Sequence, residues 1–240
     1  TLTVKGYDYW ALGHIHAREV VSETPRIVFP GNLQGRHAKE TGAKGCELIS
    51  VEAGGIEGEF IPLDVVRWHQ LALALNGIES LEGVGDAFRG ALEPLLIGAT
   101  DRLHAVRVTL TGSTELHAAE ANRPGTLDAA IRAAAQDVSD VEVWIEQVRL
   151  DLATPLNRAL ALQRQDAVGE LIRLVDRIGA DETALGNLAR TELGSLLGTL
   201  PSEVTDDDVP QLNSASDLRI LLRDAEATVL ARLAATGGEA

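Results

Sequence analysis

Over the first 65 residues the apolar positions come in short runs broken by glycine, proline and charge, the pattern of strands joined by turns. Candidate strands cover residues 1–4, 9–12 and 26–29, the last ended by Pro30-Gly31. Residues 45–52 and 56–62 flank Gly54-Gly55 and predict a β-hairpin. From residue 66 the period changes. Strand patterns at 68–75, 103–111 and 141–152 are separated by helical patterns at 81–97 and from Thr126 to about Val138. The first helix carries Val84, Ala87, Phe88, Ala91, Leu92 and Leu95 on one face, and Thr126 is placed to cap the second. A β-α-β-α-β order predicts a small sheet with two helices on one face.

Beyond Pro155 the pattern is helical throughout. Val168, Leu171, Ile172, Val175 and Ile178 share a face of one helix. Asp181 is placed to cap a second helix that runs through Leu197 and ends near Gly198 and Pro201. Ser214 with Asp217 has the spacing of a capping box for a last helix, whose stripe is Leu218, Leu221, Leu222, Ala225, Val229 and Leu233. Thr205 to Asp208 reads as a solvated acidic helix start, and the tail from Thr236 is expected to fray. The expected organisation is therefore three parts, residues 1–65, 66–153 and 154–240.

Composition narrows the class. The 240 residues are 45% hydrophobic, which favours packed cores over disorder. No apolar run approaches a membrane span and no signal peptide opens the chain, so a cytoplasmic location without a membrane partner is expected. A single cysteine, Cys46, excludes an internal disulfide and is read as a small core residue. The net charge of −15 has no basic stripe to displace counterions from DNA, so this chain is not expected to hold DNA by itself. Aromatic residues are 3% of the chain, and no stacking platform for single strands is expected from them.

Candidate chemistry sits at Asp8-Tyr9-Trp10-Ala11-Leu12-Gly13-His14-Ile15-His16. A short apolar strand ends at a glycine, and two histidines follow with one residue between them. In extended backbone, residues two apart point to one side, so His14 and His16 are expected to present both imidazoles to one point. Neutral imidazole is a common ligand of Zn, Mn, Fe and Ni. Downstream come Pro30-Gly31-Asn32-Leu33-Gln34-Gly35-Arg36-His37 and Glu40-Thr41-Gly42-Ala43-Lys44-Gly45. Arg36 and His37 are candidates to steer a phosphate, with Arg36 pairing to Glu40 as the structural alternative. Asn32 either shapes its loop through an Asx-turn or touches substrate. Asp8 either orients a ligand or merely starts the strand. His69, His104 and His117 are read as separate structural histidines. Gly83-Val84-Gly85 lies inside a helical pattern and is a poor phosphate loop.

The ordered set DYWALGHIH, PGNLQGRH and ETGAKG resembles the calcineurin-like metallophosphoesterases, and within them the bacterial DNA repair exonucleases of the SbcD/YhaO type. The resemblance is tight over residues 7–63 and looser beyond. It implies an α+β chain: the C-terminal half of a phosphoesterase β-sandwich, then a small α/β capping domain beside the active-site cleft, then an all-helical tail. It implies two divalent metal ions, usually manganese, with His14 and His16 each reaching a different one. It implies DNA as substrate and a coiled-coil ATPase of the SbcC type as partner; a homodimer stays open. The family's earlier ligand motifs, D-x-H, G-D-x-x-D and G-N-H, are absent before His14, and the chain has no methionine. The resulting expectation is the C-terminal portion of a metal-dependent exonuclease, inactive when expressed alone. The rival readings are a non-catalytic docking module for the ATPase and a metallophosphatase acting on nucleotides or phosphoproteins.

Overall fold

The computed structural model describes residues 2–138, 141–197, 199 and 214–237. The chain forms two compact units, each drawn from several segments. One comprises Thr1–Ala74, Leu81–Thr111 and Leu127–Leu150, the other Leu75–Ser80, Gly112–Thr126 and Asp151–Ala240. The architecture is mixed α+β with a helical C-terminal region, as the alternation of periods predicts. Among the described residues no helix is long and apolar enough to cross a membrane.

The first unit opens with a one-turn 3-10 helix at Leu2–Val4, where a strand was expected. Strands β1 (Tyr9–Ala11), β2 (Glu19–Glu23) and β3 (Arg26–Phe29) form a sheet in the order β1-β3-β2, with β1 parallel and β2 antiparallel to β3. The strand β2 has no sequence forecast; its alternation of Glu, Val, Val, Ser, Glu is too polar to announce itself. Strands β4 (Gly45–Glu52) and β5 (Gly55–Pro62) pair as the expected hairpin. Glu47 ties the hairpin to the sheet. Its carboxylate, 1% exposed, pairs with the guanidinium groups of Arg18 and Arg26. Burial of that carboxylate is tolerated because both cations hydrogen-bond to it, which holds its pKa below the usual range against desolvation.

The same unit holds most of a three-stranded sheet in the order β6-β7-β8, made by Val66–Ala74, Leu103–Ser113 and Val143–Ala153. The strand β6 runs parallel to β7, with Trp68 opposite Ala105. Bonds from His104 N–H to Glu142 O and from Thr114 N–H to Ala153 O show that β8 is parallel to β7 as well. Parallel strands need crossovers, and the helices supply them. Helix α1 (Leu81–Leu96) buries Val84, Phe88 and Leu92, the face its spacing predicts. Between β7 and β8 lie α2 (Leu116–Asn122), which had no forecast, and α3 (Thr126–Gln136). Thr126 is the first helical residue of α3, and its hydroxyl donates to Arg123 O, so it does not cap. A Cβ on Gly85 would stand 3.4 Å from that of Ala134, so α1 and α3 pack together on one face of the sheet. Phe88, Leu92, Val106, Val108, Leu110 and Ile131 are fully buried between them. Each such side chain contributes about 1.5–3 kcal/mol of transfer free energy.

In the second unit, Asp166 caps α5 (Ala167–Ala180) through Gly169 N–H, and Asp181 caps α6 (Glu182–Leu197) through Thr183 and Ala184 N–H. A short α4 (Arg158–Ala161) precedes them. The last helix, α7 (Ala215–Gly237), starts as expected, with Ser214 Oγ accepting from Asp217 N–H. Its stripe is only partly the apolar one. Leu218 is buried with Leu185 and Ala189, while Val229 is 41% exposed and Glu226 is buried instead. Glu226 goes inside because Arg158 and Arg223 neutralise it, at 2.7 and 3.0 Å. The acidic stretch Thr205 to Asp208, and the sequence signal at Gly198 and Pro201 for the end of the preceding helix, lie outside the described residues.

Candidate metal-binding site

The strand β1 stops at Ala11, and one further bond, Leu12 N–H to Val28 O at 2.9 Å, extends its pairing. Residues 13–18 then leave the sheet. His14 takes φ = +82°, a left-handed backbone that non-glycine residues rarely adopt. The alternation expected to turn His14 and His16 to one side needs extended backbone. It does not hold here, and the loop, not the strand, sets the direction of each ring.

That loop is shaped by the segment 30–45. Gly31 has φ = +80°, and a Cβ there would lie 2.9 Å from both His16 O and Arg18 N. Only glycine lets the turn pack so closely on the His16 backbone. Asn32 N–H donates to His16 O at 3.1 Å, and Gly45 N–H donates to Asn32 O at 3.0 Å, which carries the segment back into β4.

Glu40 gathers the site. Its side chain is 8% exposed. Oε1 accepts from Asn32 Nδ2 at 3.2 Å and lies 2.8 Å from His16 Nδ1. Oε2 accepts from Arg36 N–H at 2.8 Å. The Arg36 N–H, with further help from His16 and the Arg36 guanidinium, holds the carboxyl down to about 2 against the burial that opposes it. Arg36 Nη2 lies 3.5 Å from Oε1 and 3.3 Å from His16 Nδ1, on a side chain that is largely exposed. The His37 ring is half exposed; its Nδ1 accepts from Lys39 N–H at 3.2 Å and its Nε2 is 3.9 Å from Glu40. So four expected residues, His16, Asn32, Arg36 and His37, converge on a fifth, Glu40, which the sequence offered only as a salt-bridge partner of Arg36. Its signal was its place in the ETGAKG segment. Asp8 does not join them. It precedes β1 while His14 lies past its end, and it lines a separate depression of about 750 Å³ with Glu23, Arg26 and Glu52.

The loop from Gln34 to Gly42 is clamped to β6. Gln34 stands in for a missing neighbour strand: its amide oxygen accepts from Val65 and Val66 N–H, and its nitrogen donates to Val66 O at 2.6 Å. Trp68 Nε1 donates to Gly35 O at 3.0 Å, Gln70 Nε2 to Ala38 O at 2.8 Å, and Gly42 N–H to Trp68 O at 3.0 Å.

Divalent cations suit the donor chemistry in part. Two imidazoles are present, and one of them has the carboxylate on its far nitrogen that metal-ligating histidines commonly carry. Among the described residues, no three His, Cys, Asp or Glu are grouped so as to hold a metal ion. The remaining histidines are elsewhere. His69 and His104, expected to be separate, stack with ring centroids 5.1 Å apart. His117 Nδ1 lies 3.2 Å from Thr154 Oγ1, and burial lowers its pKa.

Residues 68–153 match the family model for the middle domain of the metallophosphoesterase YhaO. The chain is 34% identical over 177 residues to the uncharacterized metallophosphoesterase YhaO of Bacillus subtilis (strain 168), an alignment that covers 73% of this chain and 42% of that protein. The chain thus spans less than half the length of the curated relative it matches. Both matches are to metallophosphoesterases, a family that generally uses divalent metals.

Proposed function

We propose that this chain supplies part of a metal-dependent DNA exonuclease acting in double-strand break repair in the cytoplasm, with His14 and His16 as ligands of two divalent ions, manganese by preference. The observation that carries the reading is the His16 imidazole backed by the buried Glu40 carboxylate beside a loop that exposes Arg36 and His37. When bound, the metals would supply an activated water and neutralise charge on the phosphoryl oxygens. This chain's own residues do three things. His14 and His16 offer nitrogen donors; Arg36 offers a forked cation to a phosphate oxygen; Asn32 and Glu40 hold the loop that carries them. The acidic balance of the chain leaves the DNA grip to other polypeptide.

The 240-residue chain alone is expected to be inert toward linear DNA in Mn2+. Joined to the part of the Bacillus relative that it does not match, it is expected to degrade DNA in a manganese-dependent way, and His14→Ala or His16→Ala is expected to abolish that. Robust hydrolysis by the 240 residues alone would sink the reading. Hydrolysis of nucleotides or phosphopeptides with DNA left intact would move it to a metallophosphatase.

A second reading, a docking module, has its own support. Leu185, Leu188, Leu193, Leu221 and Leu222 of α6 and α7 line an open groove of about 440 Å³. An amphipathic helix from a coiled-coil ATPase of the SbcC type suits such a surface. Retention of that coiled coil by the chain at micromolar concentration, lost in Leu188→Asp, tests it.

A further inference from the structure

We propose that Glu40 is the positioning residue of the site: its carboxylate fixes His16 as the Nδ1–H tautomer and so turns the bare Nε2 outward as the donor to a cation. The metal half of this rests on the function proposed above; the tautomer half stands without it.

The geometry leaves one consistent assignment. A carboxylate can only accept hydrogen bonds, and Oε1 lies 2.8 Å from His16 Nδ1. With the proton on Nε2 instead, two lone pairs would face each other at that distance. Arg36 Nη2 is also near Nδ1, at 3.3 Å, and an arginine can only donate. The two neighbours therefore ask opposite things of one nitrogen. The shorter contact decides, and Arg36 has the Glu40 oxygen as its alternative acceptor at 3.5 Å. Glu40 is itself held from the other side by the Arg36 and Asn32 donors and is buried, so it cannot swing away to follow the ring. The imidazole is otherwise half exposed. Without Glu40 both tautomers become open to it, and neutral histidine in water favours the proton on Nε2, the form that cannot bind a metal through that atom.

Glu40→Gln tests this because the shape is kept while one oxygen becomes a donor. The Arg36 backbone N–H, at 2.8 Å, cannot turn away and takes the amide oxygen at the Oε2 position. The Asn32 amide can flip to present its own oxygen to the new NH2 group. That NH2 group then faces His16, which must accept through Nδ1. Long-range 15N–1H correlation spectra of the 240-residue chain, taken about two pH units above the ordinary histidine value, read the tautomer directly. His16 is assigned by its loss in His16→Gln. The wild type is expected in the Nδ1–H form and Glu40→Gln in the Nε2–H form, with its amide spectrum otherwise folded. Titrated Mn2+ is expected to broaden the His16 ring signals of the wild type at about 10–100-fold lower concentration than those of the variant. An Nε2–H signature in the wild type overturns the proposal without any variant. An unchanged tautomer in folded Glu40→Gln overturns it too. The expected tautomers with no Mn2+ broadening in the wild type sink the metal assignment and leave Glu40's control of the ring intact.

Discussion

His69 and His104 lie with their rings 10° from parallel, Nε2 of the first 2.9 Å from Nδ1 of the second. His104 Nε2 donates to Ala99 O at 2.8 Å, so its Nδ1 is the acceptor and His69 the donor. Strand β6 presents one ring and β7 the other, and the pair spends no charge inside the sheet as long as both stay neutral.

That arrangement predicts acid sensitivity. Burial first, then the adjoining His104 ring and the Arg67 charge, push His69 down to about 4, with Asp64 opposing. The unfolded value is about 6.5, so at lower pH the unfolded chain takes a proton the folded chain refuses. The stability is fully present above about pH 6.5 and is lost as pH falls through about 4, to a limit of about 3 kcal/mol. Urea unfolding of wild type and His69→Gln across that window is expected to show a flatter profile in the variant, since glutamine can still donate to His104. Parallel profiles would show that carboxylates alone cause the acid loss.

Glu47 predicts a large asymmetric cost. Glu47→Ala takes from Arg26, whose side chain is 11% exposed, its buried anion and leaves it the exposed Glu23 carboxylate and Gly58 O. A loss of about 2–3 kcal/mol is expected, since Glu23 compensates the remaining charge only in part. Arg18→Ala, at a third-exposed end of the same cluster, is expected to cost about 1 kcal/mol or less. Urea midpoints for the two variants settle the ordering, and equal losses would contradict it.

Gly35 predicts a local effect. A Cβ there would stand 2.7 Å from Glu40 O and 3.0 Å from Trp68 Cδ1. Gly35→Ala is expected to spring the 34–42 loop from β6 and accelerate hydrogen exchange at Arg36 N–H, the donor to Glu40. Exchange in α1 is expected to stay as in the wild type. Unchanged exchange at Arg36 would mean that the clamp on β6 does not hold the loop.

His14 predicts a trade. Its left-handed backbone costs about 1–2 kcal/mol, a cost glycine does not carry. His14→Gly is therefore expected to be more stable than His14→Ala by about 1 kcal/mol, while both bind Mn2+ more weakly than wild type. Thermal melts and Mn2+ titration by electron paramagnetic resonance read the two effects apart. Equal stability of the two variants would remove the strain from the account.

Where local chemistry alone decides, the sequence was enough. The β4–β5 hairpin follows from Gly54-Gly55 between two strand-forming runs, and the α1 face from helical spacing. Asp181 caps because an acidic side chain just before a helix meets free N–H groups in any context. What the tertiary structure decided are relations between residues distant in the chain: Glu40 under His16, 24 positions away, and His69 against His104, 35 away. Nothing local to either partner of such a pair records the other. The same reason explains Glu226, a charged residue that goes inside only because Arg158, 68 positions earlier, arrives to meet it. At His14 the strand pattern pointed one way and the loop another, because a single left-handed residue cancels the alternation that a strand would impose.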